Sequence, residues 1–211
     1  MQPTRLWFLR HGEIEAGKVG AFIGRSEADL SPLGKHQAEA IKVYLESAAV
    51  DAIVASPRRR AKDTVRPLAS ASGRIVDVRP GFAEMDFGSW EGKMWEDILR
   101  SDAAIAEEWQ ADPGAVACPG GESGNAFAAR IDEALANLLA EFKGRSVVLA
   151  AHAGTNRAIL GHILKRPYMD CFAFAQDYGC INAAGWSEEG FGQIALVNFV
   201  PGPRADKQDD E

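Results

Sequence analysis

Four short apolar runs, each followed by a helix-forming stretch, constrain this chain more than any other feature. They are Leu6-Trp7-Phe8-Leu9, Asp51 to Ala55, Ile75 to Val78 and Ser146-Val147-Val148-Leu149-Ala150-Ala151. Each has the length and composition of a buried strand. Strands that alternate with helices predict a mostly parallel sheet covered on both faces. The expected fold is therefore α/β, a three-layer sandwich with helices on both sides of a central sheet. Ligands of open α/β sheets bind beyond the carboxyl ends of the strands, so the residues that follow each run carry the functional argument.

The stretches between the runs fit this frame. Ile14 to Asp29 reads as a loop with several glycines. Ser31 is placed to cap a helix whose first residue is Pro32 and whose end lies near Ser47. Ala38, Ile41, Tyr44 and Leu45 form its apolar side. Ser56-Pro57 predicts a second helix start in the same way. Residues 94 to 142 read as helical, broken by a Pro- and Gly-containing loop from Asp112 to Gly124, with the later helix starting near Ser123. Such an excursion between strands is expected to cap a pocket. A helix is expected from Asn156 to Leu164. Phe172 to Phe174, Cys180 to Trp186 and Gln193 to Phe199 read as strands, the last two paired through a turn with Gly190 and Gly192. Residues 1–200 are expected to be one domain, and 201–211 a flexible polar tail.

The first run ends in Arg10-His11-Gly12-Glu13, where Gly12 is expected to turn the backbone sharply. The second leads into Arg58-Arg59-Arg60. Cations are unfavourable at the positive end of a helix, and their placement there makes sense if an anion is held between them. Arg60 is expected to point inward, with Thr64 one turn later on the same face. The loop after the third run carries Glu84, Asp86 and Glu91. A carboxyl among apolar neighbours has a raised pKa, which suits a general acid. Glu84 lies nearest the strand end and is the candidate; Glu91 reads as a structural partner for an arginine. The fourth run ends in His152-Ala153-Gly154. His36 and His162 read as packing or surface residues.

Taken together, Arg10, His11, Arg60, Glu84 and His152 follow predicted strands at one end of the sheet. Two arginines, two histidines and an acid meet the needs of phosphoryl transfer without a metal. Cations hold the charge spread over the equatorial oxygens, a neutral imidazole attacks phosphorus, and the acid protonates the leaving alkoxide. No metal and no cofactor are expected, and the partner is expected to be a small anionic phosphorylated metabolite. A net charge of −7 with a pI near 5.2 argues against broad binding to nucleic acid or an anionic membrane. Cys118, Cys171 and Cys180 are odd in number with no CxxC spacing, which predicts packing thiols in a reducing cytoplasm. No signal peptide or transmembrane-length run is read in the sequence.

At these residues the chain resembles the histidine phosphatase superfamily, which includes the cofactor-dependent phosphoglycerate mutases. The matching pieces are Leu9-Arg10-His11-Gly12-Glu13, Ser56-Pro57-Arg58-Arg59-Arg60-Ala61 with Thr64, the Glu84 loop, and His152 with Gly154. The resemblance implies a phosphoglycerate mutase-like fold and His11 as a nucleophile that becomes phosphohistidine. It makes Arg10, Arg60 and His152 phosphoryl-binding residues, with Ala153 beside them, and Glu84 the proton donor. It departs from the family pattern at Gly17, where an Asn is common, and at Ala153, where the second His is usually followed by Gly-Gly. The loop from Glu84 to Glu91, with Asp177-Tyr178-Gly179-Cys180-Ile181-Asn182, resembles the α-ribazole 5′-phosphate phosphatase branch of cobalamin assembly; broad sugar-phosphate phosphatases share much of the pattern.

Three other readings stay open on sequence: a phosphoglycerate mutase, a metal-dependent hydrolase using His11, His36, His152 and His162, and a binder of phosphorylated ligands without turnover. A homodimer is also open. Trp90, Met94, Trp95 and Pro119-Gly120-Gly121-Glu122 are candidates for the leaving-group pocket.

Overall fold

The computed structural model describes residues 3–15, 20–188 and 190–202. Gly17 and the tail beyond residue 202 lie outside these. The strands are β1 (Thr4–Arg10), β2 (Ala52–Ala55), β3 (Val76–Val78), β4 (Ser146–Ala151), β5 (Ile181–Trp186) and β6 (Gly192–Phe199). They form one sheet in the order β3-β2-β4-β1-β5-β6. β1, β2, β3 and β4 are mutually parallel, and β5 runs antiparallel to both β1 and β6. The long helices are α1 (Pro32–Leu45), α2 (Arg59–Ser72), α5 (Gly124–Glu141) and α6 (Ala153–Leu164), with the shorter α3 (Trp95–Ser101) and α4 (Ala103–Ala111) between α2 and α5.

Side chains alternate across a strand, and the alternation divides the core in two. Leu6 and Phe8 of β1 join Val147, Leu149 and Ala151 of β4 on one face, under Phe127, Ile131 and Leu135 of α5 and Ile159 of α6. Leu9 joins Val148 and Ala150 on the other, under Ile41 and Leu45 of α1 and Val65 and Leu68 of α2. That is the three-layer sandwich expected. β1 and β4 lie at its centre, so the segments following Arg10 and Ala151 emerge side by side.

Local chemistry explains the starts of α1 and α5. The Ser31 hydroxyl accepts the Gly34 N–H at 3.0 Å with Pro32 in the first turn, and Ser123 accepts the Ala126 N–H at 3.2 Å. α2 is different. It begins at Arg59, and its capping residue Arg58 makes no side-chain cap. A carboxylate from a distant loop does that work: Glu27 Oε2 accepts the Arg59 N–H at 2.9 Å. Ser56 and Pro57 are therefore outside the helix.

Other boundaries also moved. The first half of the 94–142 region is two helices, split at Asp102, whose backbone is non-helical and whose carboxylate accepts from Trp90 Nε1 at 3.2 Å. α6 begins at Ala153, with His152 in the capping position. Residues Tyr168–Ala173 form a 3-10 turn in place of a strand at 172–174. Its inward residues, Tyr168 and Cys171, are three apart, which matches three residues per turn. The three cysteines are free and buried. No helix among the described residues is long and apolar enough to cross a membrane.

Candidate active site

The site sits where β1 and β4 end. His11 N–H donates to Ala151 O at 3.1 Å, so the two strand ends are bonded just as their chains leave the sheet. This brings the rings of His11 and His152 to 5.3 Å between centroids. Both are buried. Gly12 does not use the left-handed conformation open to glycine. Its requirement is closeness: a Cβ there would stand 2.5 Å from Gly34 O. Its N–H donates to Thr64 Oγ1 at 3.0 Å, and Thr64 in turn donates to Arg60 O at 2.7 Å. Thr64 thus ties α2 to the turn that carries His11.

Hydrogen bonds assign the proton positions. His11 Nδ1 lies 2.8 Å from Gly12 O. A carbonyl only accepts, so Nδ1 carries the hydrogen and the neutral ring keeps its lone pair on Nε2. Burial pushes the His11 pKa well below its ordinary value, and Arg60 and Arg10 push it the same way. The resting histidine is an imidazole with a free nucleophilic nitrogen.

Arg60 is fully buried. Its Nη1 donates to Ser26 O at 2.6 Å, its Nη2 to Gly24 O at 2.7 Å, and its Nε to His152 Nδ1 at 3.3 Å. A guanidinium has five N–H donors, so donors remain for an anion. Arg10 lies with its guanidinium carbon 3.6 Å from the Tyr178 ring centre and donates through Nη1 to Gln176 O. Its buried Nε finds no acceptor among the described residues. Burial and the surrounding cations, Arg60 first, hold His152 neutral as well, its pKa well below the ordinary value.

Glu84 closes the group. Its Oε2 accepts the Gly154 N–H at 2.9 Å and its Oε1 accepts the Met85 N–H at 3.0 Å. A Cβ at residue 154 would collide with Oε1, so glycine there is what lets the carboxyl approach the start of α6. Burial raises the Glu84 pKa above the ordinary value; the two amides, Arg60 and Arg10 pull against it without reversing it. Ala153 occupies the first position of α6, whose N-terminal amides favour negative charge.

The five residues singled out from sequence are therefore brought together. His36 and His162 are exposed and elsewhere, His162 paired with Asp132 at 3.1 Å. Among the described residues, Glu91 pairs with no arginine side chain, contrary to expectation. It accepts the N–H groups of Gly24, Arg25 and Ser26 at 3.2, 2.7 and 3.2 Å and the Ser26 hydroxyl at 2.7 Å. Residues 24–26 are thus gripped from both sides, amides by Glu91 and carbonyls by Arg60. Trp90 is fully buried among Phe22, Trp95 and Trp109, and Glu122 accepts the Asp86 N–H and pairs with Arg130. Both support the Glu84 loop from behind.

Two features were not read from sequence. Ser56 places its hydroxyl 2.7 Å from His152 Nε2. Beneath Arg10, Gln176, Asn182 and Asn156 form a buried amide network, in which Gln176 bonds both asparagines at 2.9 Å. Asn182 stands in β5, Asn156 in α6 and Gln176 in the connection before β5, so no single stretch of sequence signals the network.

Phosphoryl transfer is the chemistry that this arrangement suits, and comparison with known proteins agrees. The family model of the histidine phosphatase superfamily (branch 1) matches residues 6–199, and the chain belongs to that superfamily. It is 28% identical over 194 residues to an adenosylcobalamin/alpha-ribazole phosphatase of Salmonella typhimurium, covering 92% of this chain and 96% of that one. It is 31% identical over 203 residues to an acid phosphatase of Mycobacterium tuberculosis, covering 95% of each. The crystal structure of the alpha-ribazole phosphatase from Shigella flexneri superposes with a TM-score of 0.87 at 26% identity, covering 96% of this chain and all of that one. The protein is a phosphoric monoester hydrolase of the histidine phosphatase type.

Proposed function

We propose that His11 carries the phosphoryl group. The observation that supports this most is the bond from its Nδ1 to Gly12 O, which leaves Nε2 free beside Arg60 and His152. In the first step Nε2 attacks phosphorus, the P–N bond forms, and the P–O bond to the leaving group breaks. Arg10, Arg60, His152 and the Ala153 amide hold the equatorial oxygens, and Glu84 gives its proton to the departing alkoxide. In the second step water attacks phosphorus, Glu84 takes a proton from it, and the P–N bond breaks. Inorganic phosphate leaves, and His11 is again a neutral imidazole. The α3–α4 pair, packed through its tryptophans behind the Glu84 loop, fits the role of a cap.

For the leaving group we favour an α-ribazole-type nucleoside, so that the substrate is α-ribazole 5′-phosphate. The names of two relatives support it. The acid phosphatase at similar coverage supports a broader specificity, which is the second reading. Three buried free thiols are compatible with a reducing cytoplasm.

The test is phosphate release, in chelator, from a panel containing α-ribazole 5′-phosphate, sugar phosphates and both phosphoglycerates, with His11→Ala as control. Preference for α-ribazole 5′-phosphate supports the narrow reading, and even release over many esters the broad one. Interconversion of phosphoglycerates outpacing release would move the protein to the mutases. Full activity in His11→Ala would overturn the mechanism.

A further inference from the structure

Ser56 is fully buried between the end of β2 and the start of α2. The sequence reads it as a helix cap, but the helix starts three residues later and its first free amide is taken by Glu27. Its hydroxyl instead meets His152 Nε2 at 2.7 Å and receives a long bond from the Arg58 N–H at 3.4 Å. The other ring nitrogen, Nδ1, faces Arg60 Nε at 3.3 Å. Arginine has no acceptor and stays protonated, so Nδ1 must offer a lone pair. A neutral ring then carries its hydrogen on Nε2, and Ser56 Oγ must accept it.

We propose that Ser56 is a positioning residue that fixes the tautomer and ring orientation of His152, so that Nδ1 is kept for Arg60 and for the incoming phosphoryl group. The inference rests on the phosphoryl-transfer reading for its purpose, but the tautomer itself is a property of the resting protein. Four groups oppose a positive His152 ring: Arg60 in α2, His11 and Arg10 at the end of β1, and Arg58 in the capping position of α2. The Glu84 carboxyl, bonded to the Gly154 N–H, is the acid in the same cluster. A dianionic ester would reverse that balance, and with Nε2–H already bound to Ser56 the added proton goes to Nδ1. Without the hydroxyl, the Nε2–H is a buried donor lacking a partner, a state that favours ring rotation or the other tautomer.

The experiment is nitrogen-15 NMR of histidine-labelled enzyme, with His152 assigned by comparison with His152→Asn. Wild type should show a single neutral Nε2–H tautomer for His152, with the Nε2 hydrogen protected from exchange. Ser56→Ala should lose that protection and show mixed tautomers. Its kcat should fall about ten- to a hundredfold, as for residues that orient metal-ligating histidines, with a smaller change in KM. Ser56→Thr, which keeps the hydroxyl, should restore the tautomer. An Nδ1–H tautomer in wild type overturns the proposal whatever happens to the variants. So does a Ser56→Ala enzyme with the wild-type tautomer and kcat. Neither result would touch the nucleophile, which His11→Ala tests separately.

Discussion

Glu84 and His11 are shifted in opposite directions by the same burial, because an acid is charged when it loses its proton and a base when it gains one. The reaction needs His11 neutral and Glu84 protonated. Activity should therefore rise as pH climbs through the lowered His11 pKa and fall as it passes the raised Glu84 pKa. The kcat/KM profile should be a bell, and a flat profile from acid to alkaline pH would contradict the roles. Glu84→Gln should cost about 10²–10⁴-fold with alkyl phosphates and much less with an aryl phosphate whose leaving group needs no proton. Equal losses on both would remove Glu84 as the acid. The same shifts act on stability. His11 and His152 have pKa values lowered by folding, so the unfolded chain binds more protons and stability falls as pH drops below the ordinary histidine value of 6.5. Each can contribute up to about 1.4 kcal/mol per pH unit. Glu84, raised in the fold, opposes this at lower pH. Denaturation of His152→Asn against pH should show a shallower acid loss than wild type. His11 and His152 were legible in sequence because they stand at the ends of apolar runs, and Glu84 because it is the first acid in the loop after the third run. Ser56 was not, because Ser-Pro has a commoner meaning as a helix start, and only the placement of β4 beside β2 shows where the hydroxyl goes.

At the scale of elements, the positive end of α2 is held by residues far along the chain. Glu27 caps it, Arg58 and Arg59 pair with Glu27 and Asp29, and Arg60 reaches through to the carbonyls of residues 24 and 26. Glu91 holds the other side of the same loop. Removing its carboxylate in Glu91→Ala leaves the amides of residues 24–26, the Ser26 hydroxyl and the more distant Phe87 amide without their acceptor. It should destabilise the fold by about 2 kcal/mol or more, raise KM, and speed hydrogen exchange at residues 24–26 relative to the sheet. Unchanged exchange there would refute the clamp. Ser123→Ala, by contrast, removes an ordinary cap of α5 and should cost about 1 kcal/mol with kcat unaltered. Sequence located α1 and α5 well because their caps are local, a serine three residues before the amide it accepts. It placed α2 two residues early because its cap comes from a residue over thirty positions away. It missed the break at Asp102 because what holds that residue, Trp90 Nε1, belongs to another loop.

Across the whole molecule, the alternating faces of β1 and β4 join both cores to the site. The fold class was readable because those runs are apolar on both faces; the strand order, the antiparallel β5 and the 3-10 turn before it depend on packing between distant segments. Leu135 lies fully buried in the core under α5, and Leu135→Ala should cost about 2–5 kcal/mol in a denaturation experiment, with kcat per folded molecule preserved. A large loss of kcat in the folded variant would mean that α5 does more than pack.

The central claim is that His11 Nε2 becomes covalently phosphorylated. It is tested most directly by mixing enzyme with an activated phosphomonoester, quenching in alkali within one turnover, and weighing the intact protein and its peptides. Wild type should gain the mass of one phosphoryl group on the peptide containing His11, labile to acid, and His11→Ala should gain none. Turnover with no phosphorylated protein trapped, or the group found on another residue, would contradict it.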